Sequence, residues 1–593
     1  MARLTRAAWI RDPRQGGRWV YRSLRGPVAW LLIVLLIAGV GLANPGRVSA
    51  TAITFVQGNA HTGSGSVLST AYPVNVAAGH LLVGIFRTKG NPAVTDNLNG
   101  AWTKAASNRY ASIWYRPSTR PGLTRVTLTA TSGLLRASIA EYSGISPFIT
   151  FISGACTGGR GSAVRTGNTA AVPAGDLVFA GVTTYAFPAT ITAGVTNGVP
   201  AALRRSSSTS YGAIAAEDVT AAAAGIQNAS MTLSTATTVY WNACIAVFRA
   251  GHNYYWGATI GAQFTGTFAP EDWWTGKTDC TTTATSCSDF GRKNTNGKPL
   301  SLIHVVRTWP SVFPVIAVTH VRGDGVIPMI DWASGGVSDN AGTQSITSGY
   351  WDSYITAWAQ AAARWGHPFF LRFDWEMNGK WFDWGVGHNG TTAADYVAAW
   401  RHVHDIFTRV GGVKASWVWC PNRDPGGVFA PLFPSWGVSL YPGDSYVDWT
   451  GIDGYNVGGT LWTGFTGLFQ ATYNIITQHV PSKPMVLAEV GSTAYGANVT
   501  NGGKGRWISD MFVALATTFP NVYGLSWFDH CGFGGGPGGR SDWPLEVSVS
   551  ATEGSCTALT GTPASLAFAR GVAATNYKSN SYSGLTTSPI PKP

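Results

Sequence analysis

Apolar runs of strand length alternate with helical patterns over residues 251–593. Eight such runs end in polar or aromatic residues: 254–261, 301–309, 325–334, 368–376, 413–422, 446–456, 484–492 and 522–530. Between them, segments 350–366 and 394–410 carry large apolar residues at the spacing of one helix face. Eight strands alternating with helices predict an α/β fold, namely a (β/α)8 TIM barrel, whose site forms at the carboxyl ends of the strands.

Residues 51–250 show a different pattern. Short runs of alternating apolar and polar residues, such as 80–88, 124–130 and 175–185, are separated by turn residues. Only three Trp lie in 51–250, against twenty in 251–593. Such spacing is typical of an all-β sandwich. The sequence therefore predicts a β-sandwich accessory domain at 51–250 that precedes the catalytic barrel domain at 251–593, with no exact internal repeat.

The first 50 residues have the character of a targeting segment. Residues 1–26 contain seven Arg and one Asp and so supply about half of the net charge of +12. An uncharged apolar run at 27–43 follows, and Val48-Ser49-Ala50 resembles a small-residue cleavage site. We expect an exported protein, either cleaved near Ala50 or tethered to the membrane through 27–43. The charge outside this segment forms no basic stripe, so nucleic-acid binding is not expected.

Seven Cys in an exported chain favour disulfides over metal ligands. Proximity in sequence suggests three pairs, Cys280 with Cys287, Cys531 with Cys556, and Cys156 with Cys244. Cys420 lies inside an apolar strand and is predicted to be a buried free thiol.

Two glutamates at strand ends carry the candidate chemistry. The chain has only seven Glu, and Glu376 and Glu489 each follow an apolar run and precede a glycine-containing turn. A buried acid is costly unless it is paired or used. Glycoside hydrolysis needs one carboxylic acid to protonate the leaving oxygen and one carboxylate to attack or to activate water. The alternative is that both are structural carboxylates in buried salt bridges, Glu376 with Arg372.

The motifs around these glutamates resemble those of glycoside hydrolase family 26. LRFDWEMNGKWFDW resembles the acid/base segment of that family, and MVLAEVGS resembles its nucleophile segment. Segments 261–273, 326–334 and 441–456 add further matches, so that the resemblance covers roughly residues 251–578. The family places the acid/base after the fourth strand and the nucleophile after the seventh, where the strand count above places Glu376 and Glu489.

The resemblance implies a retaining endo-glycosidase with Glu376 as acid/base and Glu489 as nucleophile. The family includes β-1,4-mannanases, with some β-1,3-1,4-glucanases and β-1,3-xylanases. Its mannanases commonly carry His before the acid/base glutamate, where this chain has Trp375. We expect β-1,4-mannan as the first substrate, with a mixed-linkage glucan, a β-1,3-xylan or a cell-surface polysaccharide as alternatives. A surface glycan-binding protein without turnover is the alternative of another class.

Several polar and aromatic residues near the strand ends are candidates for substrate binding. Pyranose rings pack on flat aromatic side chains, while amide and phenol groups bond to hydroxyls and carboxylates. Tyr455 is expected to donate to Glu489, and Arg372 to orient one of the two acids. The substrate-binding set is Trp332, Trp381, Trp384, Trp527, Asn378, Asn422, Tyr455 and Arg372.

Other chemistries have little support in the sequence. No HExxH pair is present, no G-x-S-x-G follows a predicted strand, and the glycine-rich stretch 531–539 lacks the Lys of a phosphate loop. We therefore expect no metal and no cofactor, with a polysaccharide and water as substrates. The oligomeric state stays open.

Overall fold

The structure is a computed structural model of the 593-residue chain. It describes residues 8–11, 19–22, 53–89, 92–117, 119–146, 150–185, 189–234, 238–260, 295, 298–335, 342–423, 430–494, 503–529, 543, 545, 547–549, 556–558, 563–574, 576–579 and 581–593. Residues 1–48 and 49–593 form two separate units.

The first unit contains an antiparallel strand pair, β1 (Ala8–Arg11) with β2 (Trp19–Arg22). The apolar run 27–43 and the cleavage motif at Ala50 lie outside the described residues. Among the residues that the structure does describe, no helix combines the length and the apolar composition needed to cross a membrane.

The second unit begins with an all-β region, as predicted. Its first half holds β3 (Thr54–Ala71), β4 (Leu81–Arg87), β5 (Ala93–Asp96), β6 (Gly100–Ala101), β7 (Thr103–Ser107), β8 (Ala111–Arg116) and β9 (Arg125–Ser143). Its second half holds β10 (Phe151–Arg160), β11 (Ala163–Arg165), β12 (Ala171–Val172), β13 (Leu177–Tyr185), β14 (Thr190–Thr196), β15 (Val199–Pro200), β16 (Ala202–Thr209), β17 (Gly212–Thr220), β18 (Gly225–Ile226), β19 (Ala229–Ser234) and β20 (Tyr240–Phe248).

The two halves repeat one topology. The main sheet of the first half has the order β3-β9-β4-β8-β7, and that of the second half has the order β10-β20-β13-β17-β16. In the first half, β5 and β6 extend the same sheet beyond β9, whereas in the second half β11, β19, β14 and β15 form a separate four-stranded sheet. The all-β region thus contains two main sheets with the same strand order, and the predicted boundaries of one accessory domain at 51–250 stay a prediction.

Alternating side chains join the two repeats. Leu177 and Phe179 of β13 contribute to a core shared with β4 of the first repeat, whereas Val178 and Val182 point into the second repeat's own core. The shared core lies between the two main sheets. Because successive residues of a strand face opposite sides, β4 and β13 must be apolar on both faces, and they are almost entirely buried.

The cysteine predictions have three outcomes. Cys156 and Cys244 lie opposite each other on β10 and β20 and form a disulfide, as predicted. Cys420 is a buried free thiol, also as predicted. The proposed Cys280–Cys287 and Cys531–Cys556 pairs fall on side chains outside the described residues.

The predicted TIM barrel is confirmed. Eight parallel strands close into a barrel in chain order. Each strand begins and ends within the corresponding predicted apolar run. They are β21 (Tyr255–Ile260), β22 (Leu302–Thr308), β23 (Ile327–Ala333), β24 (Phe369–Phe373), β25 (Ala415–Trp419), β26 (Trp449–Asn456), β27 (Met485–Ser492) and β28 (Val522–Asp529). A further antiparallel pair, β29 (Val547–Val549) with β30 (Cys556–Ala558), follows.

Amphipathic helices cover the barrel. They are α1 (Val315–Gly323), α2 (Thr343–Thr347), α3 (Asp352–Trp365), α4 (Ala393–Val410), α5 (Phe465–His479), α6 (Gly503–Thr517) and α7 (Pro563–Val572), with 3-10 turns at Gly459–Leu461 and Ser581–Gly584. Thr392 caps α4, because its hydroxyl accepts from the Asp395 N–H while the Asp395 carboxylate accepts from the Thr392 N–H. Helices α3 and α4 match the two predicted from apolar spacing.

Candidate active site

Glu376 lies three residues beyond β24, in a turn held by backbone bonds. The N–H of Glu376 donates to the Cys420 carbonyl over 2.8 Å, and the N–H of Asp374 donates to the Trp332 carbonyl over 3.2 Å. Both residues have positive φ, 40° at Asp374 and 54° at Glu376. Such conformations are uncommon for residues other than glycine and cluster at functional sites. The turn thus fixes the carboxyl of Glu376 at the mouth of the barrel.

The surroundings of Glu376 favour its protonated form near neutral pH. The side chain is buried, with 6% exposed. Burial, and then the charge of Glu489, raise the pKa of Glu376 to about 7, against the opposing effects of Arg372 and of two hydrogen bonds. Those bonds come from the Trp381 Nε1–H, over 2.7 Å, and from the Asn422 amide. Glu376 therefore has the proton affinity that a general acid needs.

Glu489 lies on β27, where a cation and a hydroxyl group bind its carboxyl group. The Arg372 guanidinium donates to its Oε1 over 2.7 Å, and the Tyr455 hydroxyl donates to its Oε2. Hydrogen bonds and a cation stabilise the charged form of a carboxylate. The predicted bond from Tyr455 is thus present, and Arg372 pairs with Glu489 rather than with Glu376.

Arg372 forms the centre of a buried charge network below the two glutamates. Its guanidinium contacts Asp453 on β26, and lies 3.2 Å from Asp331 on β23. Asp331 in turn lies 2.6 Å from His304 on β22. The carboxylates raise the pKa of Arg372 above its ordinary value although burial lowers it. The network spans five strands of the barrel and fixes the position of Glu489 relative to the scaffold.

The two carboxyl groups are close together. Glu376, Glu489 and Asp453 each have an oxygen within 4.8 Å of the others. Retaining glycosidases keep their two carboxyl groups at about 5–5.5 Å, whereas inverting enzymes keep them at about 6.5–9.5 Å to admit a water molecule. The spacing fits the retaining arrangement. Three acid oxygens at this distance can also hold a metal ion, but Arg372 already donates to two of these three groups.

A cleft of about 780 Å³ opens above the glutamates. Its lining is largely aromatic, and consists of Trp375, Glu376, Trp381, Phe382, Asn422, Arg423, Tyr455, Val457, Glu489, Phe528 and Trp543. The ring of Trp375 lies 4.8 Å from the Arg372 guanidinium, at the position where the family's mannanases commonly carry His. Trp381 has 48% of its surface exposed, so a ligand can reach its ring.

Four of the predicted substrate-binding residues lie at this cleft or directly beneath it. Trp381, Asn422 and Tyr455 line it, and Arg372 lies below Glu489. Their proposed contacts with a sugar stay predictions. Asn378 is fully buried and exchanges two hydrogen bonds of 2.9 Å with the backbone of Asn422. Asn378 is therefore a positioning residue for Asn422, and the prediction that it binds substrate directly is wrong.

Three predicted stacking residues lie in the core instead. Trp332 stacks on Trp358 of α3 at 4.3 Å and is fully buried. Trp527, also fully buried, packs against Phe568 of α7. Trp384 is 2% exposed and donates to the Trp375 carbonyl over 2.6 Å. Sugar stacking by these rings is wrong as a prediction, because no face of them is open to a ligand.

Other residues of the cleft were not predicted from the sequence as substrate-binding. Phe528, Val457 and Arg423 lie at or just after strand ends, so position in the sequence was a usable signal for them. Trp543 lies outside the barrel strands and packs 4.9 Å from Tyr455. No local pattern identifies Trp543, because its place depends on a long connection after β28.

Part of the barrel is similar to known proteins. Residues 340–520 match the model of Glycosyl hydrolase family 26. Endoglucanase H of Acetivibrio thermocellus is 31% identical over 264 residues, which make up 43% of this chain and 27% of that protein. The mannan endo-1,4-beta-mannosidase of Bacillus subtilis is 27% identical over 161 residues, which make up 26% of this chain and 37% of that protein. The chain thus spans well under half the length of these relatives.

A solved structure of a GH26 beta-mannanase from Bacteroides ovatus is also similar, with 14% identity and a TM-score of 0.36 over 55% of this chain and 90% of that one. The family match includes both Glu376 and Glu489. The predicted resemblance is therefore confirmed, and the barrel that carries this cleft matches glycosyl hydrolase family 26, a family of enzymes that act on glycosidic bonds.

Proposed function

We propose that the protein is a retaining endo-glycosidase that hydrolyses a β-linked polysaccharide outside the cytoplasm. The observation that carries the proposal is the pair of carboxyl groups within 4.8 Å, one with its pKa raised to about 7 and one bound by Arg372 and Tyr455. An acid and a carboxylate at this spacing are the two groups that double displacement requires.

The mechanism follows from those two environments. Glu489 attacks the anomeric carbon while Glu376 gives its proton to the glycosidic oxygen, so that the leaving sugar departs with that proton. Glu376, now a carboxylate, takes a proton from water, and the resulting hydroxide attacks the anomeric carbon of the Glu489 ester. Two inversions retain the anomeric configuration and restore both groups.

An open aromatic cleft favours internal cleavage of a polymer. Trp381 presents a partly exposed ring beside the acid, and flat rings bind the C–H faces of sugars. We propose β-1,4-mannan as the first substrate, in line with the mannosidase relative. A β-linked glucan is the second candidate, because Endoglucanase H matches a larger share of this chain. A β-1,3-xylan is the third, supported by a beta-1,3-xylanase relative.

Location outside the cytoplasm is supported by the Cys156–Cys244 disulfide, since disulfides persist in oxidising compartments. The Arg-rich segment and the apolar run that follows it agree with export. N-terminal sequencing of the protein from its producer tests this point. A mature chain that starts near Thr51 is expected, and a cytoplasmic chain that retains Met1 contradicts export.

Reducing-sugar release from galactomannan, glucomannan, barley β-glucan, β-1,3-xylan and a soluble cellulose derivative tests the activity. Glu376→Ala and Glu489→Ala are each expected to abolish release, while Asp510→Asn, on an exposed ion pair of α6, is the matched control. Proton NMR of the first product is expected to show the β anomer. Hydrolysis that survives both glutamate substitutions rules out the assigned roles. Tight binding with no turnover favours a glycan-binding protein instead.

A further inference from the structure

A second cleft lies in the all-β region, where the two repeats meet. Its volume is about 580 Å³, within the range of small-molecule sites. Arg87 and Tyr110 of the first repeat line it together with Tyr185, Tyr240 and Asn242 of the second. The lining contains no Asp or Glu.

Exposed tyrosine rings form the walls of this cleft. Tyr185 is 57% exposed and Tyr240 is 59% exposed. The Arg87 guanidinium lies 5.3 Å from the centre of the Tyr185 ring, and the Arg160 guanidinium lies 5.4 Å from that of Tyr240. Cation–π contacts of this kind hold a ring in place. Each ring is thus a supported platform with a positive charge beside it.

Arg87 brings a positive charge to the lining of the cleft, and Arg136 lies directly opposite it on β9 without lining the cleft. The two residues are 6% and 0% exposed. Within the described part of the chain, no carboxylate pairs with either residue. Burial and the charge of Arg87 lower the pKa of Arg136 to about 10. Like charges opposite each other destabilise a sheet, and hydrogen bonds to the carbonyls of Leu134, Thr184 and Tyr211 offset part of this cost.

The second repeat shows that the topology does not require this pair. The equivalent positions on β13 and β20 are Thr183 and Asn242, which are also directly opposite each other. Neutral side chains therefore occupy the equivalent pair of positions in the second repeat. The arginine pair is therefore specific to the first repeat, and the shared strand order does not require it.

Two glycines of β10, Gly158 and Gly159, also line the cleft. A Cβ at Gly159 would lie 2.3 Å from the Trp241 ring, which lines the cleft as well. Such contact is impossible without displacing the ring. Gly159 thus gives the Trp241 ring room to pack against β10 in the cleft wall.

We propose that this cleft binds an acidic glycan, a polysaccharide whose sugars carry carboxylates. The tyrosine platforms suit pyranose faces, Asn242 suits hydroxyls, and Arg87 and Arg160 suit a carboxylate. The choice of a glycan over a nucleic acid rests on the proposed function of the barrel. Binding here brings the barrel to a substrate mixture that contains uronic acids.

Calorimetric titration of the full chain with polygalacturonate tests the proposal. The chain carries Glu489→Ala, so that hydrolysis cannot remove ligand and the result is independent of activity. Highly methyl-esterified polygalacturonate is the matched ligand, because it has the same backbone with most carboxylates neutralised. We expect binding of the acid form that weakens with added salt, and at least about tenfold weaker binding of the ester.

Tyr240→Ala and Arg160→Ala are each expected to weaken binding about tenfold. Tyr211→Ala is the matched control, since Tyr211 is 61% exposed in the same region but does not line the cleft. Equal binding of acid and ester overturns the proposal. So does equal loss in the Tyr240 and Tyr211 variants, or displacement of polygalacturonate by a single-stranded oligodeoxynucleotide at a lower concentration than by galacturonate oligomers.

Discussion

The two regions of the molecule bury arginine in opposite ways. In the barrel, fully buried Arg372 is surrounded by Asp331, Asp453 and Glu489. In the all-β region, fully buried Arg136 faces a second arginine, Arg87, and among the described residues its guanidinium donates to backbone carbonyls and to no carboxylate. The barrel thus satisfies its buried charge internally, which fixes geometry. The sheet holds its buried cation with neutral carbonyls, and the neighbouring Arg87 lines the cleft.

The largest loss of stability is expected from a substitution in the buried charge network around Arg372. Arg372→Met leaves three buried carboxylates without their cation, so we expect a loss of about 3–5 kcal/mol in the free energy of unfolding. Activity should fall to background, because Glu489 loses the Arg372 guanidinium that positions it. Urea denaturation and hydrolysis of the preferred substrate measure the two effects.

Arg506→Met is the control, because Arg506 forms an exposed ion pair with Asp510. Exposed pairs contribute about 0–1 kcal/mol. Equal destabilisation by the Arg372 and Arg506 substitutions would show that the barrel network has no special role in stability.

The pH dependence of activity follows from Glu376. Its pKa of about 7 lies above that of an ordinary glutamate, so the general acid is protonated below pH 7 and is lost above it. We expect kcat/KM to fall about tenfold per pH unit above 7. The same shift makes the protonated acid stabilising below the unfolded pKa, a contribution lost as pH rises through 7. A rate that stays constant from pH 6 to 9 contradicts the role of Glu376.

The barrel shows how far sequence reasoning reaches. Its eight strands, two of its helices and both glutamates follow from apolar runs that end in polar residues. For two of the three tryptophans wrongly predicted to stack on sugar, the sequence held a signal that was not used, since side chains alternate along a strand. Asp331 and Phe528 face the network and the cleft, so their neighbours Trp332 and Trp527 must face the helices. Trp384 follows β24 by eleven residues, where no strand period applies.

The all-β region shows where the sequence stops being informative. Strand alternation predicts strands there, but the repeat becomes visible only when the sheet orders are compared. The pairing of Arg87 with Arg136, 49 positions later in the chain, depends on the register of β4 and β9. No local pattern encodes that register, so neither the cleft nor its charge was predictable.

Trp381→Phe tests the hydrogen bond that Trp381 donates to Glu376 at the mouth of the barrel. The substitution keeps an aromatic ring but removes the N–H that donates to Glu376. Since that bond lowers the pKa of Glu376, we expect the basic limb of the pH profile to move to higher pH by about one unit. Trp436→Phe is the control, because Trp436 is 92% exposed and does not line the cleft. A shift to lower pH would contradict the assignment.

The smallest effect is expected at the uncompensated arginine. Arg136→Met removes hydrogen bonds to the carbonyls of Thr184 and Tyr211, but leaves no carboxylate behind and relieves the repulsion from Arg87. The two changes oppose each other, so we expect the free energy of unfolding to fall by about 1 kcal/mol or less. Urea denaturation beside Arg372→Met measures the difference. Losses of the same size in both variants would mean that the carbonyl partners of Arg136 stabilise its charge as strongly as the carboxylates stabilise that of Arg372.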